Sequence, residues 1–151
     1  MSNKFSIVIP TFENSDYLNL CINSILKNSH FSHQIIVHIN GHDEKTEKIL
    51  LDKKITYTKS FKNIGLCSGV NIASEKVTTN YILYSHDDMY FLPEWDLFLY
   101  EEVKKISHKN FYLSMTHISH MSGVKGDIQH IRYNCGTNIY EFDENKLLEN
   151  F

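Results

Sequence analysis

Short apolar runs alternate with segments whose apolar residues recur at helical spacing, and this alternation constrains the fold more tightly than any other feature of the chain. Phe5-Ser6-Ile7-Val8-Ile9-Pro10 reads as a buried strand stopped by proline. After a turn at Thr11-Phe12-Glu13-Asn14, the residues Leu18, Cys21, Ile22, Ile25 and Leu26 mark an amphipathic helix. Asn14 or Ser15 stands at its cap, and Asp16 lies near its positive end. Gln34 to Ile39 is the next strand, and Gly41-His42-Asp43 opens a charged segment, Glu44 to Leu51, with a short helix's docking residues Ile49, Leu50 and Leu51. Ile55 to Thr58 alternates like a strand, and Asn63-Ile64-Gly65 then turns into a helix marked by Leu66, Gly69, Val70 and Ala73. Tyr81 to Tyr84 is a further apolar strand, ending on Ser85-His86-Asp87-Asp88. A helix beginning near Pro93 carries Trp95, Phe98, Leu99, Val103 and Ile106, with Phe111 to Met115 as the strand after it. Beyond Met115 the pattern weakens to a loop, a strand from Ile128 to Tyr133 and a helical start over Asp143 to Leu148.

Strands separated by helices imply right-handed crossovers and a mainly parallel sheet covered by helices, an α/β fold. Such sheets bind ligands at the carboxyl ends of their strands. Thr11 and Glu13 follow the first strand, Asn40 the second, and Asp87 and Asp88 the fourth, so polar residues gather where a site is expected. At 151 residues the chain suits one domain. Its apolar runs are far shorter than the ~20 residues of a membrane-spanning helix. The start Met1-Ser2-Asn3-Lys4 lacks the pattern of a secretory signal, so a cytoplasmic location is expected.

A net charge of −3 without a dense basic run gives no footprint for nucleic acid or anionic lipid, and a small-molecule partner is expected instead. Cys21, Cys67 and Cys135 are scattered and form no CxxC pair, which makes them free thiols. The nine histidines raise a transition-metal site as an alternative, with His117 and His120 on one helical face; the lack of a Cys/His quartet favours scattered surface histidines.

An acidic pair at a strand end offers hard oxygen ligands to Mg²⁺ or Mn²⁺, ions that keep several waters and bridge substrate phosphates. Asp87-Asp88 is such a pair, and an acidic helix-capping turn is the plainer alternative. Neither a GxxxxGK[ST] loop nor a GxGxxG turn occurs, which removes support for ATPase and dinucleotide-binding readings. Asn63-x-Gly65 ahead of a helix, with Lys62 beside it, is either an anion-facing turn or a plain one.

These pieces resemble a known family. Phe5 to Asn14 is similar to the opening strand and nucleotide-contacting turn of family 2 glycosyltransferases, and Leu18 to Ile25 to the helix that follows. Ile35 to Gly41 resembles its second strand and base-binding turn, and Asn63-Ile64-Gly65 with Asn71 its middle motif. Tyr81 to Trp95 looks like the strand carrying its DxD metal motif, with Pro93 and Trp95 at positions that often follow it. The resemblance covers about the first 100 residues, with two departures: Ile39 stands where the family often has Asp, and His86 stands at the first position of the DxD motif.

What the resemblance implies is a GT-A-like, Rossmann-like domain over 1–151, with a donor-binding core at 1–115, a partial acceptor-side segment at 116–151, and much of the acceptor half lacking. It places Pro10, Thr11, Glu13, Asn40, Lys62, Asn63, Gly65 and Asp87 on the nucleotide, and Asp88 with His86 on a Mn²⁺ or Mg²⁺ ion. The reaction implied is inverting transfer of a sugar from a nucleoside-diphosphate sugar to a saccharide or other hydroxyl acceptor. No catalytic base is identified; Asp127, Glu141, Asp143 and Glu144 are the carboxylates that remain for it, and donor binding with poor transfer is expected. A truncated or non-catalytic nucleotide-sugar-binding domain, a nucleotidyltransferase and a histidine-based metal or interaction module are the alternatives. The nucleotidyltransferase would need a Gly-rich basic loop that Thr11 to Ser15 does not provide.

Overall fold

The computed structural model describes residues 3–120 and 129–151. Two compact units divide at Tyr100 and Glu101, where the sequence suggested one domain with its donor core ending at 115.

In the first unit, four strands form an all-parallel sheet: β1 (Ser6–Thr11), β2 (Gln34–Asn40), β3 (Thr56–Ser60) and β4 (Ile82–Tyr84), in the order β3-β2-β1-β4. Helices α1 (Ser15–Asn28), α2 (Glu44–Asp52) and α3 (Leu66–Ser74) connect them, and α4 (Trp95–Lys105) follows β4. The parallel register sets Thr11 opposite Ile39 and Val8 opposite Tyr84. β1 is buried along its whole length because it has a strand on either side and helices above and below; its residues alternate between two cores. Ile7 and Ile9 join Leu18, Cys21, Ile22 and Ile25 of α1, Leu50 of α2, Phe91 and Trp95 on one face. Val8 joins Ile36 and Ala73 on the other, with Val70 and Val77 packed against them.

Strand β1 continues one residue past Pro10, to Thr11. The Ser6 N–H reaches Tyr81 O at 3.0 Å, and Val8 O accepts from Ser85 N at 3.0 Å, so even-numbered positions of β1 direct their backbone groups toward β4. Pro10 turns its missing donor the same way, just beyond the end of β4, where no ladder bond is lost.

Two expected elements differ. Phe111 to Met115 forms no strand, and Tyr112, Leu113 and Met115 are exposed: an apolar run without a neighbouring strand to accept its hydrogen bonds does not become sheet. β4 forms, but as an edge strand that leaves Ile82 and Tyr84 exposed. The second unit, residues 101–151, contains a parallel pair, β5 (His117–Ser119) with β6 (His130–Arg132), and helix α5 (Glu144–Leu148) capped by Asp143, which accepts from Lys146 N at 2.9 Å. His117 therefore lies on a strand, not on a helix shared with His120; its ring stacks on His130 with centroids 4.6 Å apart. The strand expected from Ile128 is shorter, and Ile128 itself lies outside the described residues.

Helix α3 sits unusually close to β2. A Cβ added to Gly69 would stand 2.8 Å from Cδ2 of His38, a fully buried ring whose Nδ1 lies 2.8 Å from Thr58 Oγ1. Burial holds this imidazole below its usual titration range. Gly69→Ala is therefore expected to destabilise the protein by about 1–3 kcal/mol, since neither ring nor helix has room to retreat. Urea denaturation checks this, and an unchanged midpoint would show that the contact relaxes freely.

Candidate functional site

At the carboxyl ends of β1 and β4, Asp87 is held from two directions. Thr11 Oγ1 donates to its Oδ2 at 2.6 Å, and Asn14 Nδ2 donates to its Oδ1 at 3.0 Å. Thr11 is buried and ends β1, and Asn14 immediately precedes α1, so a strand and a helix together aim one carboxylate. Asn14 occupies the cap position of α1, yet its side chain makes no capping bond because it serves Asp87 instead. Both Asp87 oxygens thus have protein donors. Asp88 differs: it is exposed and makes no side-chain hydrogen bond among the described residues.

His86 is exposed, with Nε2 3.1 Å from the Tyr84 hydroxyl and its ring 5.1 Å from the Tyr84 ring. Its carbonyl is fastened from below by Ser85 Oγ at 3.0 Å and by the Cys21 thiol at 3.7 Å. Burial, and next the nearby Asp87 charge, push the Cys21 thiol up to about 12, so it stays a protonated donor rather than a nucleophile. All three cysteines are free thiols.

Glu13 is exposed and adopts a left-handed backbone with φ of 50°, a conformation that costs a non-glycine residue roughly 1–2 kcal/mol. Such strain is concentrated at functional turns. Asn40 is buried, and its Oδ1 accepts from Ile64 N at 2.7 Å and lies 3.5 Å from Ser60 Oγ. Asn63 Oδ1 in turn accepts from Gly65 N at 2.9 Å. The Ile64 and Gly65 N–H groups are therefore used internally, as in the plain-turn alternative. Asn40 acts on the turn from inside, and of the Lys62–Gly65 stretch the exposed Lys62 side chain remains as the cationic group. Gly65 itself has φ of 85° and open space around it, so glycine is needed there for backbone conformation. Pro10 is buried in β1 beneath the turn.

Residues missed in the sequence hold the chain after the acidic pair. Ser24 and Asn28, buried on α1, and Ser29 at its C-cap bond the segment from Tyr90 to Trp95. Buried polar residues on a helix face otherwise read as apolar were the available signal.

The donor set favours a hard, weakly ligated cation over zinc. No group of three or more His, Cys, Asp and Glu side chains arranged to hold a metal exists among the described residues. One unpaired carboxylate beside an anchored one suits Mg²⁺ or Mn²⁺, which complete their shells with water and substrate phosphate. The carboxylates considered as base offer less. Asp127 lies outside the described residues; Asp143 caps α5; Glu141 accepts from both the hydroxyl and the N–H of Thr137, bonds that hold its carboxyl below the usual range and weaken it as a base. Glu144 lies in the first turn of α5.

No helix among the described residues is long and apolar enough to cross a membrane. The model of the family described as "Glycosyl transferase family 2" matches residues 6–150. An uncharacterized glycosyltransferase of Rickettsia bellii is 28% identical over 118 residues, covering 75% of this chain and 16% of that protein. Another, from Rickettsia typhi, is 34% identical over 90 residues, 57% of this chain and 28% of its own length. The chain thus spans less than a third of either relative. Among solved structures, S. aureus TarS 1–349 in complex with UDP aligns at a TM-score of 0.67 and 18% identity, covering 80% of this chain and 38% of that one. Its complex with UDP-GlcNAc aligns at 0.66. These structural likenesses show a shared GT-A fold.

Proposed function

The chain belongs to glycosyl transferase family 2, and from that premise we propose that it binds a nucleoside-diphosphate sugar at the ends of β1, β2 and β4 and transfers the sugar, with inversion, to a hydroxyl acceptor. The observation that carries this reading is the anchoring of Asp87 by Thr11 and Asn14, which leaves Asp88 directed to solvent at the strand ends. In this reading Asp88, with His86 beside it, holds Mn²⁺ or Mg²⁺. When bound, that ion offsets the negative charge that collects on the departing diphosphate. Thr11 and Asn14 orient Asp87 by two hydrogen bonds, so that it faces donor hydroxyls or metal-bound water. Glu13, on its strained turn, and Pro10 line the nucleoside side. Asn40 shapes that side by holding the turn at Ile64, and Lys62 supplies positive charge for phosphate.

Uridine nucleotides are the first to test, because the TarS structures hold UDP and UDP-GlcNAc. Calorimetric titration with UDP, GDP and dTDP, each with and without Mn²⁺, is expected to give metal-coupled binding with a preference for one base. Absence of metal-coupled binding for every nucleotide would overturn the assignment.

A donor-binding domain without transfer is the second reading, favoured by the engagement of Asp143 in capping α5 and of Glu141 in local bonds to Thr137. Without a positioned base, transfer lacks an assistance worth about 10²–10⁴-fold. Slow donor hydrolysis, with little glycosylated product, is therefore expected when nucleotide sugars, Mn²⁺ and saccharide acceptors are incubated with the chain. Efficient multiple-turnover transfer would exclude this second reading.

A further inference from the structure

Helix α1 carries a polar stripe that follows the acidic turn along its length. Cys21 contacts the His86 carbonyl at 3.7 Å, Ser24 Oγ accepts from Phe91 N at 3.0 Å, and Ser29 Oγ accepts from the Trp95 indole at 3.0 Å. Asn28 makes the most connections: Nδ2 donates to Phe91 O at 2.7 Å and to the Tyr90 hydroxyl at 3.1 Å, while its backbone carbonyl accepts from Glu94 N at 2.9 Å, a bond that any residue there could make. Cys21, Ser24 and Asn28, spaced by three and four along one helix, fall on a single face, and Ser29 follows at the C-cap. Glu94 at the far end of the segment has a left-handed backbone, φ 59°, which persists only where the surroundings hold it.

We propose that Asn28 is a positioning residue for the donor site: by clasping Tyr90 and Phe91 through its side-chain amide it sets the geometry with which the adjoining Asp87-Asp88 turn meets its ligand. Asp88 has no hydrogen bond of its own among the described residues, so its placement depends on what holds the chain to either side. On the upstream side Thr11 and Asn14 hold Asp87; on the downstream side Asn28 holds Tyr90 and Phe91. Asn28 touches neither nucleotide nor metal in this scheme. Its ligand arm rests on the donor-site reading above, whereas its effect on the turn does not.

The test compares wild type, Asn28→Ala, the isosteric Asn28→Asp, which turns an acceptor toward Phe91 O, and Val77→Ala, which thins the core on the opposite face of the sheet. Native-state hydrogen exchange at residues 87–91 is expected to quicken in both Asn28 variants beyond any global change, and not in Val77→Ala. Affinity for UDP with Mn²⁺ is expected to fall on the order of tenfold to a hundredfold, as for other outer-shell supports of a metal site, while metal-free UMP affinity stays unchanged. Exchange at 87–91 that matches Val77→Ala overturns the proposal, as do affinities that fall together or stay unchanged in both arms. If wild type binds neither nucleotide, the donor-site reading fails and hydrogen exchange alone decides the role of Asn28.

Discussion

Asp88→Asn is expected to lower the affinity for UDP in the presence of Mn²⁺ by on the order of a hundredfold, about 2.8 kcal/mol, with no change in melting temperature. The size follows from position: outer-shell supports of metal sites are worth roughly tenfold to a hundredfold, and a direct ligand stands at or beyond the upper end. Unchanged stability follows from the side chain being exposed and making no hydrogen bond among the described residues. Asp87→Asn provides the contrast. An amide offers one acceptor oxygen where two donors, Thr11 Oγ1 and Asn14 Nδ2, now converge on two, so the Thr11 hydroxyl must turn to accept from the new NH2, a charge-assisted bond becomes a neutral one and the turn loosens. Calorimetry with and without Mn²⁺, alongside thermal melts, separates the two. Undiminished affinity in Asp88→Asn would remove it from the metal site, and a lowered melting temperature would give it a structural task instead.

Asp96→Ala is expected to cost about 3–5 kcal/mol of stability, because it leaves three buried N–H donors without an acceptor at roughly 1–3 kcal/mol each, less what relaxation recovers. Asp96 is fully buried at the start of α4 and accepts from His30 N at 2.8 Å, Phe31 N at 2.7 Å and His33 Nε2 at 2.8 Å. Burial alone would raise this carboxyl, but the two backbone N–H groups and the His33 ring outweigh it and hold it below the usual carboxylate range. Burial dominates at His33 and lowers its titration despite the carboxylate beside it. A neutral His33 donating Nε2–H fits the packing, because Nδ1 is buried with no hydrogen-bond partner among the described residues and an imidazolium would bury an unpaired N–H there.

Both shifts act in the same direction with pH. His33 binds its proton less readily folded than unfolded, so its contribution is full above the ordinary histidine range and declines as pH falls toward its depressed folded value. Asp96 adds stability above the ordinary carboxylate range, and that is lost as pH falls through its depressed folded value. Stability of the first unit should therefore fall in two stages on acidification. Trp95, the chain's single tryptophan, packs 5.2 Å from the His33 ring and reports this directly in denaturant titrations across pH. In Asp96→Ala the lower stage should vanish. A variant retaining wild-type stability at neutral pH would show that the three donors find water instead.

The strand-end logic was legible because it depends on chemistry local to each segment. Ile7, Val8 and Ile9 state a doubly covered strand and Leu18 to Ile25 a helix with one buried face, while Asp43 and Asp143, where the sequence opens a charged segment and a helical start, each accept from the backbone N–H three residues onward. Thr11, Glu13, Asn40, Asp87 and Asp88 could be placed near one another because a parallel sheet delivers every strand end to one edge. Phe111 to Met115 misled because apolarity reports burial potential, whereas a strand also requires a neighbour's hydrogen bonds. His117 and His120 misled through spacing, which is ambiguous over three residues.

The sequence by itself determined the α/β order, the parallel sheet and the positions after strands where polar groups collect, since these follow from periodicity and from residue types read one segment at a time; the family was reached through the resemblance of its motifs. Only the tertiary structure decided which polar group serves which partner. Asn14 turned from capping its helix to holding Asp87, seventy-three residues away in sequence; Asn40 and Asn63 consumed the N–H groups of Ile64 and Gly65; Asn28 and Ser24 bound the segment after the acidic pair. A side-chain amide or hydroxyl bonds whichever donor or acceptor folding brings within about 3 Å, and sequence spacing carries no record of that choice.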